Sequence, residues 1–263
     1  MECLRLIPAP DSKWSNWIGC ALWMLTGIGS TVANSVLYYK DNPIDSANFA
    51  KQFAYIGMDI FQPFQSFCGI LLIKLFVDKN RHQVTSRAII PKNPWFFLTT
   101  MAFQLVSMVY YICINAPSFK DYGWIFYSLF LLHNTIVMLT FVLVLGVAAN
   151  SFSKMIKNYE NIVTLDNFEE IFLDIIEEFQ GFKHHLQPML FMLFLSGVIL
   201  VTLNGYILIK DGYFNTIPYQ VYLLLQMSYV TYTLDDCFNE FKSTLLWLRW
   251  AKIGTKNKIK AKT

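Results

Sequence analysis

The sequence predicts an all-α fold, a polytopic transmembrane helical bundle, and three observations carry that reading. Only 15% of the 263 residues are charged while 55% are hydrophobic, whereas a water-facing domain of this length carries about 25% charged residues. Six separate stretches are long and apolar enough to serve as spanning helices, each needing about 20 predominantly apolar residues. The basic residues fall on alternate loops. Aromatic residues make up 17% of the chain, and Tyr and Trp suit a membrane interface, where one end of the ring stays wet.

Taken in order, residues 1–13 lack the shape of a signal peptide and read as a cytoplasmic N-terminus. Transmembrane helices 1–4 occupy 14–148. The first runs from Trp14 to Tyr38, and its Gly19, Gly27 and Gly29 offer close approach to a neighbour. The second, Gln52 to Val77, is the most polar, with Asp59, Gln62, Pro63, Gln65 and Lys74, whose ammonium is expected to snorkel to the basic side. The third and fourth are Pro94 to Ala116 and Trp124 to Ala148. Residues 149–187 read as a cytoplasmic helical extension. Within it Asp166 and Glu169 have helix-start spacing, and Phe168, Ile171, Phe172, Ile175, Phe179 and Phe182 recur at three and four residues beside an acidic face. This helix is expected to run on into the fifth span, Pro188 to Ile209. The sixth, Ile217 to about Leu234, completes a segment of transmembrane helices 5 and 6 over 188–236. Residues 237–263 read as a basic cytoplasmic tail: an interfacial helix over Phe238 to Ile253, then a disordered end.

Orientation follows from charge. Sixteen Lys and Arg lie on the N-terminus, the 78–93 and 149–187 connections and the tail, against four on the other loops. Basic residues favour the cytoplasm, so both termini are predicted inside.

Chemical signatures are few. No zinc-protease, nucleophile-elbow, P-loop or dinucleotide pattern occurs, so the chain reads as no enzyme, with no metal site, no cofactor and no nucleic-acid partner. The adjacent His184 and His185 point to different helix faces and read as solvated polar residues. The five cysteines form no C-x-x-C pair and read as apolar packing residues. No N-x-[ST] sequon marks an ectodomain.

With the termini inside, the outer halves of the spans collect polar and aromatic groups, whereas the inner halves are greasier. Intramembrane polar groups face the bundle interior, and a few convergent polar groups among aromatics line small-molecule pockets. The candidate ligand-binding residues are Asp59, Gln62, Tyr110, Tyr111, His133, Asn134, Asn204, Tyr206, Tyr222 and Gln226. Asp59 is the costliest at its depth, and His133 is its candidate partner. The alternative reading of each such residue is an interhelical hydrogen bond or part of an aromatic belt.

This layout resembles the insect gustatory and odorant receptor superfamily. The resemblance rests on the helix Asn167 to Ile209, ending in the aromatic tip at Tyr206, and on the charged stretch Asp235, Asn239, Glu240, Phe241 and Leu245 after the sixth span. The family's seventh span carries T-Y, five apolar residues, then Q-F. Here Thr231 and Tyr232 run into Thr233, Leu234, Asp235 and Asp236 instead, and a seventh span is lacking. The resemblance implies a multi-pass plasma-membrane chemoreceptor related to ligand-gated cation-channel subunits. It also implies a small-molecule ligand in the outer half, tetrameric or other homo- or hetero-oligomeric partners, and pocket helices without a pore helix. Two other readings of the layout are a six-span transporter or other channel, and a membrane scaffold or accessory protein without a ligand.

Overall fold

The computed structural model describes the backbone of residues 13–41, 49–79, 90–115, 123–162, 168–212 and 214–260. These are all-helical, with no strand among the described residues. The helices are α1 (Lys13–Asp41), α2 (Phe49–Lys79), α3 (Pro94–Asn115), α4 (Gly123–Ile162), α5 (Phe168–Asp211) and α6 (Ile217–Lys260), with a 3-10 turn at Phe214–Thr216 before α6. Among the described residues, three stretches are long and apolar enough to cross a membrane: Pro94–Ile114, Ile125–Tyr159 and Glu169–Lys210. Ala21–Ala33 and Ile60–Phe76 are shorter apolar helical stretches.

Sequence explains where helices begin and why several do not stop. Pro94 stands at the first position of α3, where a missing N–H costs nothing. Asn93 before it is left-handed, at φ 54°, a conformation asparagine tolerates, and its carbonyl accepts the first helical bond from Phe97 N–H at 3.1 Å. The fifth span and the amphipathic stretch before it are one helix, with Pro188 inside α5.

The expected division between a sixth span and a separate tail helix is not found, and neither is the expected disorder over 254–260. Instead α6 is continuous for 44 residues. Between Pro218 and Gly254 there is no Gly or Pro, and Glu240, Lys242, Arg249 and Lys252 are good helix formers. Packing of its second half against α4 and α5 supports it further. Lys74 also departs from expectation. It is buried rather than reaching an interface, on the side of α2 that packs against its neighbouring helices.

Call the end of the bundle that holds the start of α6 the upper end. Helices of 40 and 44 residues, α4 and α5, measure roughly 60 and 66 Å at about 1.5 Å per residue, twice the ~30 Å of a hydrocarbon core. Their lower halves pack with that of α6 as a lower domain whose apolar core continues into the bundle above. Its core is phenyl rings. Phe152 stacks on Phe182 at 4.8 Å and Phe179 on Phe241 at 3.9 Å, both nearly parallel. Ile171, Ile175 and Leu248 complete the buried face, while Glu169, Glu170, Asp174 and Glu177 stay exposed, as the periodicity predicts.

Candidate functional site

The predicted ligand residues fall into separate groups. One is a chain of tyrosines at the upper end. Tyr110 and Tyr111 on α3 are 6.4 Å apart, Tyr111 meets Tyr219 of α6 at 6.2 Å, and Tyr219 meets Tyr222 at 6.0 Å. Gln62 of α2 donates to the Tyr219 hydroxyl at 3.3 Å. Tyr222 is buried against Leu200 of α5, Leu223 and Phe61. Gln62, Tyr110, Tyr111 and Tyr222 are thus brought together by α2, α3 and α6, and Tyr219 is the hub. Three α6 groups in this region, Gln220 Nε2 among them, keep unused capacity. The Tyr222 hydroxyl and Gln226 Nε2 are buried without a hydrogen-bond partner among the described residues, an arrangement that costs about 1–3 kcal/mol per group when dry.

His133 and Asn134 belong elsewhere. His133 Nε2 meets the carbonyl of Trp23 at 2.9 Å, and because a carbonyl only accepts, the proton sits on Nε2. The ring also stands edge-on to the Trp23 indole. Its partner is therefore α1, while the side chain of Asp59 lies outside the described residues. Asn134 Oδ1 accepts from Ser66 of α2. Asn204 Nδ2 is used within α5, donating to the Leu200 carbonyl at 2.8 Å. Tyr206 is half-buried higher on α5. Gln65 Nε2 donates to Ser196 Oγ at 2.8 Å, joining α2 to α5. Several polar groups within the bundle therefore bond helix to helix, while others, Asn204 among them, bond within their own helix.

A cavity of about 510 Å³ opens between α1 and α2, walled by Ile28, Val32, Ile60, Phe64 and Phe67 with Thr31. None of the predicted ligand residues lines it. Among the described residues no cluster of His, Cys, Asp or Glu is placed to hold a metal.

A second polar centre, at the junction with the lower domain, was not among the predicted site residues. Lys92 lies in the connection before α3 and is only 8% exposed, yet its Nζ reaches Glu240 Oε2 at 2.7 Å, Ser153 Oγ at 2.8 Å and Asp236 Oδ2 at 3.2 Å. Lys157 reaches the other Glu240 oxygen at 3.4 Å. The main chain of Lys92 is held as well. Its N–H donates to the Gly146 carbonyl at 2.9 Å, and its carbonyl accepts from the Tyr229 hydroxyl at 2.8 Å. Asn150 Nδ2 donates to the Ile90 carbonyl at 2.7 Å. Gly146 is required here: a Cβ would overlap the Tyr229 hydroxyl and stand 2.9 Å from Pro91 Cβ.

Electrostatics follow the geometry. Burial pushes the Glu240 carboxyl upward, but hydrogen bonds from Lys92 and Ser153 and the charges of Lys92 and Lys157 outweigh it, holding the group below its ordinary value. Burial also pushes the neighbouring Cys237 thiol up to about 11. That thiol is fully enclosed, with Sγ 3.7 Å from the Ala149 carbonyl. The sequence signal was present: a lysine between two prolines, and acids four residues apart on one face of α6.

Comparison with protein families, with curated proteins and with solved structures finds no match for this chain.

Proposed function

We propose that the chain is a multi-pass plasma-membrane receptor of chemosensory type, with six spanning helices and both termini in the cytoplasm, that binds a small molecule at the upper, outward-facing end of the bundle. The observation that carries the reading is the tyrosine chain at that end, with the Tyr222 hydroxyl and Gln226 Nε2 buried and unpartnered beside it. Aromatic walls with a few orienting polar groups are what small apolar ligands require. A donor left unsatisfied in the empty protein strengthens the contact with a ligand that brings an acceptor. The long lower halves of α4, α5 and α6 agree with the cytoplasmic extension of the insect gustatory and odorant receptor superfamily. By that resemblance the chain is a subunit of an oligomer related to ligand-gated cation channels.

The test is a thermal-shift screen of the purified chain in lipid nanodiscs, against small apolar compounds that carry one hydrogen-bond acceptor. A stabilising compound should lose its effect on Tyr222→Phe with Gln226→Leu and keep it on His133→Ala. If no compound shifts the melt, or if His133→Ala removes the effect instead, the site is not at the tyrosine chain. Cysteines introduced one at a time into the loops and labelled from each side of intact cells test the six-span topology.

A further inference from the structure

The segment Ile90–Asn93 is fastened to two helices at once. Toward α4 it uses the Lys92 N–H on Gly146, the Ile90 carbonyl on Asn150 and the Lys92 ammonium on Ser153. Toward α6 it uses the Lys92 carbonyl on Tyr229 and the same ammonium on Asp236 and Glu240. One side chain thus bridges α4 and α6 where the upper bundle passes into the lower domain.

The chemistry of this fastening differs from the packing on either side. Above it, Tyr229 sits among Phe96 and Phe97. Below it, Phe241 stacks on Phe179. Those contacts are apolar and keep no second partner in reserve. The ionic cluster is one-sided: the Lys92 ammonium is buried, while the side chains of Asp236 and Glu240 are 41% and 28% exposed. The exposed Lys157 pairs with the other Glu240 oxygen from outside. A buried cation with wet counter-ions can be released from the solvent side without parting the phenyl stacks. Once unpaired it does not remain buried, because an uncompensated charge in the interior is costly.

We infer that residues 90–93 are a latch, and that α6 shifts against α4 only when the Lys92 ammonium leaves Asp236 and Glu240. This inference does not rest on the receptor reading. It makes Lys92 a positioning residue that sets how tightly the seam between α4 and α6 is closed.

The protein contains its own reporter. Cys237 is enclosed in that seam beside the Ala149 carbonyl, so its alkylation rate measures opening. The experiment uses the full chain in nanodiscs, with Cys3, Cys20, Cys68 and Cys113 replaced by serine, and N-ethylmaleimide as the probe. Lys92→Met should speed labelling of Cys237 by at least about tenfold, as expected for a local opening equilibrium shifted by loss of a buried ion pair. Glu240→Gln should speed it by a smaller factor. Lys92→Glu combined with Glu240→Lys should bring the rate back toward the parent, and the exposed Lys242→Met should leave it unchanged. Circular dichroism and the melt establish that each chain is folded. Should Lys92→Met not fold, Asp236→Asn and Glu240→Gln carry the test. A parent-like rate in folded Lys92→Met, or in both carboxylate variants, overturns the latch. Equal acceleration in Lys242→Met overturns it too, because any loss of charge would then loosen the seam.

Discussion

The His133 imidazole donates to the main-chain carbonyl of Trp23 at 2.9 Å, and the two rings meet edge-on at 4.9 Å. This contact pins α1 to α4, and it needs Gly27 one turn further along α1, where a Cβ would overlap the imidazole. Gly29, by contrast, faces open space. Gly27→Ala should therefore lower stability by about 1–3 kcal/mol, the range for overpacking a close contact, whereas Gly29→Ala should not. Thermal melts in detergent check this. Adding His133→Ala to Gly27→Ala should recover part of the loss, since the obstructing ring is then gone.

The stacked phenyls predict a different sensitivity. Phe152 is fully buried and touches Phe179, Phe182 and Phe241. Phe152→Ala should cost about 3–5 kcal/mol through lost burial and the cavity it leaves. Limited proteolysis should then cut first within 149–187. If cleavage appears first in the upper bundle, the phenyl stack is not what holds this segment.

Acid should act on the Lys92 cluster with a definite sign. The folded Glu240 carboxyl lies below its ordinary value of 4.5, so its stabilisation is fully present above that pH and fades as pH falls through the lower, folded value. The difference in melting temperature between the parent and Glu240→Gln should stay constant from neutral pH down to about pH 5, then shrink. A difference that already narrows between about pH 7 and 6 would point to another group.

Tyr222→Phe removes a hydroxyl that has no partner among the described residues. Stability should hold or rise by about 1 kcal/mol, because an unsatisfied buried group is deleted. Asn204→Leu should do the opposite, since its amide is engaged with the Leu200 carbonyl. A destabilised Tyr222→Phe would mean that its hydroxyl is bonded, and the case for an acceptor-bearing ligand would weaken.

The helical layout was legible because it is written in periodicities. The amphipathic stripe Ile171, Ile175, Phe179, Phe182 and the prolines at 94 and 218 are local signals, and they placed elements within a few residues. The sixth span and the tail helix were expected to be separate across the charged residues after Leu234, whereas charge marks only the end of an apolar face and the helix runs through. Pairings between distant segments were harder to read. That Gln62 meets Tyr219 and His133 meets Trp23 depends on which helices are neighbours, and the order of spans does not encode this. Lys92 was counted for its sign alone. Its burial follows from Gly146 and Tyr229, each far along the chain and unremarkable in isolation.

The unbroken α6 has a mechanical consequence. It is gripped between Tyr229 and Glu240, and from the middle of that grip roughly 26 Å of rod lies above and about 38 Å below at about 1.5 Å per residue. A rod held in this way is a lever with unequal arms. A tilt that moves its tyrosine-bearing end by one unit carries its basic end about one and a half units in the opposite direction.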